Sequence, residues 1–260
     1  MSTRNYATGC DLTLIAFERV YKTLGQTKVL QDFSLQAPKN EITCIIGPSG
    51  CGKTTMLQLL AGLETPDGGR ITGMAGLGLS YVFQEPRLLP WKTVAENVAF
   101  VLDDAVTETR KQELIRKYLS LMGLYEYRNS YPKALSGGMK QRLALCRAFA
   151  YPHDILLMDE PFKSLDTPLR LGLVRAVAEM WQEKPRTAII VTHDIVDALL
   201  LGHRVVVLSA RPAVVLDEIE IDVPLTERNV LQEPLPTKHA RMLALLEGEN
   251  KKYFPGFGNI

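Results

Sequence analysis

Apolar positions along this chain change period, and the changes mark its elements. Val29, Leu30, Phe33 and Leu35 stand among polar residues in a loosely alternating pattern, which predicts β-structure over the first 46 residues. Pro38-Lys39-Asn40 supplies a turn before the apolar run at 42–46. Residues 53–61 (Thr55, Met56, Leu57, Leu59, Leu60) predict a helix that Gly62 stops. Residues 65–69 carry turn chemistry, and a strand is expected over 80–83, ending at Gln84. After Glu108, Leu114, Ile115, Leu119 and Met122 recur at helical spacing up to Gly123. A second helix is expected over 138–150, with Ser136 near its start.

From Asp154 onward, short apolar runs at 154–158, 187–191 and 204–209 alternate with helical stretches at 168–182 and 194–201. Such alternation predicts parallel strands joined by crossover helices, hence an α/β core divided by a helical insert. The expected organisation is a β-subdomain and first core part at 1–92, the helical insert at 93–150, the rest of the core at 151–222, and a C-terminal extension at 223–260. Residues 237–247 predict a short amphipathic helix capped by Thr237.

Residues 47–54 read GPSGCGKT, which fits G-x-x-x-x-G-K-[ST] directly after an apolar strand and before a helix. Glycines there let backbone N–H groups converge on phosphate oxygens without Cβ obstruction. Lys53 adds a cation for the β/γ-phosphates, the Thr54 hydroxyl can ligate Mg²⁺, and the helix dipole points its positive end at the same anion. The pattern predicts a P-loop fold that binds a nucleoside triphosphate. A thiol among those amides, Cys51, is expected to be acidic, reactive and protected by nucleotide.

Ile155-Leu156-Leu157-Met158-Asp159-Glu160 is an apolar strand ending in two carboxylates. In a P-loop fold this strand is expected beside the phosphate-loop strand, with Asp159 holding Mg²⁺ through water and Glu160 polarising an attacking water.

Composition narrows the classes. With 260 residues, 46% hydrophobic and 23% charged, the chain is an ordinary soluble globular type, and a net charge of +1 gives no basic excess for nucleic acid. Cys10, Cys44, Cys51 and Cys146 lack metal spacing, and their placement argues for reduced thiols rather than a disulfide framework. No run approaches the roughly 18 apolar residues of a membrane span. The N-terminus lacks the apolar stretch of a signal peptide. Membrane association is therefore expected to go through a partner.

Leu135-Ser136-Gly137-Gly138-Met139-Lys140-Gln141-Arg142 makes a second phosphate-binding helix N-terminus, which one subunit does not need. With this motif between the P-loop and Asp159-Glu160, the chain resembles the ATP-binding subunit of an ABC transporter over nearly its whole length. The resemblance implies a RecA-like P-loop core with an N-terminal antiparallel β-subdomain and an inserted helical subdomain. It also implies a head-to-tail homodimer, in which Ser136 and Gly138 complete the partner's ATP site. ATP and Mg²⁺ are the implied cofactors. Nucleotide contacts would fall on Gly47, Ser49, Gly50, Cys51, Gly52, Lys53, Thr54 and Thr55. Gln84 resembles the glutamine that senses Mg²⁺ and the reacting water. Ser164-Leu165-Asp166 resembles the loop that crosses the dimer interface, and His193 the switch histidine at the γ-phosphate. Tyr21 resembles the aromatic residue that stacks on adenine, with Phe17 a nearby competitor. The segment between Gly69 and Ser80 is short, so the usual β-hairpin is expected to be trimmed.

Rivals with the same ATPase head include DNA-repair and chromosome-organising ATPases. Those carry long coiled coils, whereas the insert of about 55 residues shows no sustained heptads. Residues 82–91 (VFQEPRLLPW) resemble the importer branch serving nitrate, taurine, aliphatic sulfonates and thiamine pyrimidine precursors. That resemblance implies transmembrane permease subunits as partners, an extracytoplasmic solute-binding protein indirectly, no nucleic acid, and a peripheral place on the cytoplasmic face of the membrane.

Overall fold

Two sheets share one core in the computed structural model, which describes residues 14–103, 105–163 and 165–253. The smaller sheet is antiparallel, in the order β2 (Thr27–Pro38), β1 (Leu14–Leu24), β4 (Gly68–Thr72). The larger runs β5 (Leu79–Val82), β6 (Ile155–Asp159), β7 (Thr187–Thr192), β3 (Ile42–Ile46), β8 (Arg204–Leu208), β9 (Val215–Glu220). Its pairs are parallel except β8 with β9.

Every residue of β3, β6 and β7 is buried, as expected of strands covered on both faces. On one face Ile45, Leu157, Ile189 and Val206 pack with Met56 and Leu57 of α1 (Lys53–Leu60) and with Phe17, Phe33 and Leu35 of the small sheet. On the other, Cys44, Met158, Ile190 and Val205 join helices α4 (Gly137–Ala150), α5 (Thr167–Glu183) and α6 (Ile195–Leu201). Truncating one such central residue, Leu157→Ala, costs about 2–5 kcal/mol, because the rigid packing on its face of the sheet cannot collapse into the gap.

Three details differ from the sequence reading. The Asp159 strand does not lie beside the phosphate-loop strand, since β7 stands between β6 and β3. Gly68 and Gly69 belong to β4 rather than to a turn, and Gly69, at φ 76°, passes so close to Arg19 that a Cβ would stand 2.1 Å from its carbonyl oxygen. The C-terminal helix α7 (Leu235–Tyr253) begins before Thr237, whose hydroxyl donates to Glu233 instead of capping. Between β4 and β5 only residues 73–78 intervene, without a further strand.

The insert holds α2 (Val94–Ala99), α3 (Glu108–Leu121) and α4. Sequence periodicity missed α2, whose six residues are too few to show it. Its signal is the capping box: Glu96 N–H donates to Thr93 Oγ1 at 3.3 Å, and Thr93 N–H to Glu96 Oε2 at 2.7 Å. Gly123 ends the α3 turn at φ 62°.

Candidate nucleotide site

The phosphate loop leaves β3 at Ile46 and enters α1 at Lys53. Cys51 N–H donates to Pro48 O at 3.2 Å, closing the turn, and Gly52 takes the N-cap position at φ 118°. Only glycine fits there: a Cβ would stand 2.4 Å from Val29 Cγ1. Lys53 is buried, and its Nζ donates to Gly47 O at 2.8 Å and Pro48 O at 3.0 Å. A third contact runs to Cys51 Sγ at 3.9 Å, so the ammonium is held within the loop. Ser49, Gly50 and Thr54 are exposed, whereas Thr55 is buried in α1.

Asp159 ends β6 with its side chain buried, and its Oδ1 has no hydrogen-bond partner. Burial pushes its carboxyl above the usual carboxylate range; the Thr54 hydroxyl opposes that shift and Glu160 adds to it. Because α1 packs across β6 and β7, Thr54 and Lys53 reach Asp159 although their strands are not neighbours. An orphaned carboxylate oxygen beside an exposed threonine hydroxyl suits a hard divalent cation with oxygen ligands. The donor set therefore fits Mg²⁺.

Glu160 adopts φ 48°, a left-handed conformation that non-glycine residues rarely take. Its N–H donates to Val191 O at 2.9 Å, and this sharp turn directs its carboxylate toward β7. There Glu160 Oε2 meets His193 Nδ1 at 2.5 Å. Gln84 lies exposed, two residues past the Val82–Met158 pairing, at the same edge of the sheet, and makes no hydrogen bond among the described residues.

Other expected site residues lie apart. Ser136 caps α4, its Oγ accepting from Met139 N–H at 3.3 Å, and is exposed. α4 packs on α2, α3 and β5, and among the described residues no hydrogen bond joins Ser136 to residues 47–54. Gly138 is needed for close packing: a Cβ would stand 2.8 Å from Leu165 Cδ2. Asp166, exposed, takes the N-cap position of α5, while Ser164 falls outside the described residues, as does Cys10. Phe17 is buried, edge-on to Phe33, whereas Tyr21 is 43% exposed. Only Tyr21 of the two can offer a ring to a planar base.

The Cys51 expectation is overturned. The thiol is 1% exposed, and burial raises its pKa more than the neighbouring Lys53 lowers it. Cys44 and Cys146 are likewise buried free thiols.

Sequence reasoning missed two supports. Asn97 is fully buried; its side chain accepts from Leu89 N–H at 2.9 Å and donates to the carbonyls of Leu89, Lys92 and Thr93, pinning the segment after Gln84. Arg170 of α5 forks onto Asp197 at 2.9 and 2.7 Å and reaches Asp194 at 2.6 Å. Asp194 in turn caps α6, so this network braces the backbone just after His193. Neither leaves a local sequence signal beyond its residue type.

Known proteins match this arrangement. The family described as ABC transporter matches residues 30–163. An ABC transporter ATP-binding protein of Methanocaldococcus jannaschii is 39% identical, over 76% of this chain and 77% of its own length. An aliphatic sulfonates import ATP-binding protein of Bacillus cereus is 38% identical, over 78% and 82% respectively. Among solved structures, a dimeric post-hydrolysis state of the ATP-binding cassette MJ0796 bound to ADP and Pi superposes with a TM-score of 0.70 at 27% identity, covering 80% of this chain and 99% of that one.

Proposed function

Because the chain belongs to the ABC transporter family, we propose that it is the ATPase of an importer, driving uptake of a small solute through separate membrane subunits. It is an ATP-binding subunit and an ATP hydrolase with the α/β P-loop fold. The observation that carries the mechanism is the Glu160–His193 bond at the edge of the sheet that presents Lys53, Thr54 and Asp159.

Each residue has a separable task. The loop amides and Lys53 grip the β/γ-phosphates, and Tyr21 stacks on adenine. Thr54, Asp159 and Gln84 would hold Mg²⁺, which supplies charge neutralisation at the transferring phosphoryl group. Glu160 accepts a proton from the attacking water, while His193 holds that carboxylate and faces the γ-phosphate. Positioning and charge do most of the work in such a transfer.

Ser136 makes no hydrogen bond to residues 47–54 of its own chain among the described residues, which supports a head-to-tail homodimer with two shared ATP sites, Asp166 standing at the crossing. Closing and opening of that dimer would drive the helical inserts, because the two states differ in affinity for ATP. The test mixes Lys53→Ala and Ser136→Arg subunits, each inactive alone. Partial recovery of ATPase is expected, since one composite site is then intact; no recovery in a demonstrated mixed dimer would argue that one intact site is not enough.

The insert carries the exposed Trp91 and Phe100 and, separately, a concavity of about 830 Å³ lined by Thr93, Glu96, Gln112, Arg116, Tyr125 and Arg128, which support docking of a permease there. No helix among the described residues is long and apolar enough to cross a membrane. The importer reading puts the subunit at the periphery of the membrane, on its cytoplasmic face. The proposed solute is of the nitrate, sulfonate, taurine or thiamine-precursor type, and within it the relative named for import of aliphatic sulfonates supports a sulfonate. Transport assays with the co-expressed permease would decide among them.

A further inference from the structure

The turn between β8 and β9, residues 209–214, reaches back to the phosphate loop and is held from three sides. It closes on itself: Ser209 N–H donates to Val214 O and Val214 N–H to Ser209 Oγ, both at 3.0 Å. Ala213 N–H donates to Val29 O at 3.0 Å, on the β2 residue that crowds Gly52. From the opposite side, Ala210 N–H donates at 3.0 Å to Oε2 of Glu249, a carboxylate of α7 that is 5% exposed.

At the tip, Arg211 lies over Gly50. A Cβ on Gly50 would stand 3.0 Å from Arg211 Nη2 and 3.8 Å from its Cζ, so the guanidinium occupies the space a side chain would take. Arg211 is exposed and has neither hydrogen bond nor ion pair with any described residue. Its neighbour cation, Lys53, is buried and turned onto the loop carbonyls. Here, then, is a permanently charged group, set one glycine away from amides built to meet an anion, and among the described residues no carboxylate pairs with it.

We propose that Arg211 is a second cation of the nucleotide site, strengthening polyphosphate binding across Gly50, and that α7 sets its position through the Glu249–Ala210 hydrogen bond. The inference rests on residues 47–54 being the phosphate cradle. Arg211 acts on the diphosphate common to ATP and ADP, so it changes affinity and KM and leaves kcat alone. As an exposed charge it is screened by salt, which a packing role is not.

The test measures ADP and ATP affinity of the full chain. Arg211→Gln is expected to bind about tenfold more weakly at low salt, equivalent to about 1.4 kcal/mol. The gap should close toward about 1 M salt, where the screening length is about 3 Å. Arg211→Lys should recover most of the affinity, and the nucleotide-free melting temperature should not move. Glu249→Ala should weaken binding in the same direction and add nothing to Arg211→Gln, whereas Glu249→Gln, which keeps an acceptor for Ala210 N–H, should bind as wild type. Unchanged affinity of Arg211→Gln at low salt, or a loss that salt does not relieve, overturns the cation role. Additive losses from Arg211→Gln and Glu249→Ala overturn the link to α7. Lys53→Ala separates the two readings: if it too binds normally, the phosphate cradle itself is wrong; if it alone fails, only the role of Arg211 is.

Discussion

His193 Nδ1 and Glu160 Oε2 stand 2.5 Å apart, joining the ends of two neighbouring parallel strands, β7 and β6. The contact engages Nδ1, which leaves Nε2 as the ring nitrogen available to the nucleotide side. The Glu160 side chain is 12% exposed and that of His193 49%. The histidine thus covers the carboxylate and orders it, at a backbone position whose positive φ already restricts it.

Glu160→Gln removes the proton acceptor and keeps the shape. Turnover should fall by about 10²–10⁴ while ATP binding persists. Single-turnover phosphate release measures the first, and gel filtration should show the variant accumulating as an ATP-dependent dimer. Undiminished ATPase would remove Glu160 from the role of base.

Lys53→Ala tests the phosphate loop. Mg-ATP at about 100 times its dissociation constant should stabilise the wild type by about 2.7 kcal/mol. For a chain of this size the melting temperature should rise about 5–10 °C. The variant should show little rise in the same thermal melt.

Gly52→Ala meets two obstacles, the φ of 118° and Val29 Cγ1 at 2.4 Å. Backbone strain alone costs about 1–3 kcal/mol. The variant should unfold at lower denaturant and lose ATP binding. Adding Val29→Ala should return only part of the stability, because it relieves the contact and leaves the dihedral strained.

Cys51 should resist alkylation in the folded protein with or without nucleotide, since burial raises its thiol pKa and blocks the reagent. Mass spectrometry should find it modified only in denaturant. Rapid labelling of the native chain that ATP suppresses would restore the behaviour expected from the loop sequence alone.

Acid should destabilise the fold through His203. Its Nδ1 accepts from Ile42 N–H at 3.1 Å and its ring packs on Trp181. Burial, helped by the Arg228 charge, pushes its pKa down to about 4. The unfolded chain has the ordinary value of about 6.5, so between these values it binds more protons than the fold does. Stability should therefore hold above about pH 6.5 and fall as pH drops toward 4. Denaturant titrations at neutral and acid pH should show a smaller acid loss for His203→Asn, whose amide oxygen can still accept from Ile42.

The phosphate loop, the Ser136 cap and the Asp159-Glu160 strand end were legible because each is contiguous: spacing, glycine positions and apolar flanks are properties of a few neighbouring residues. Helix α2 left only its capping box, and β9, an edge strand of mixed polarity, left no alternation to read. Charge and hydropathy bounded the class without touching the site.

What tertiary structure alone decided are relationships between distant residues. β7 enters between the two nucleotide strands because parallel crossovers set the strand order, which no local pattern encodes. Phe17 faces inward and Tyr21 outward because bulges shift the register of β1 between them. Burial of Cys51 reverses its expected chemistry, since desolvation outweighs the nearby cation. The meeting of Glu160 with His193, and of Arg211 with Gly50, likewise depends on where strands end and turns return. Sequence spacing determines what a segment can bind; the packing of the segments determines which charges it meets.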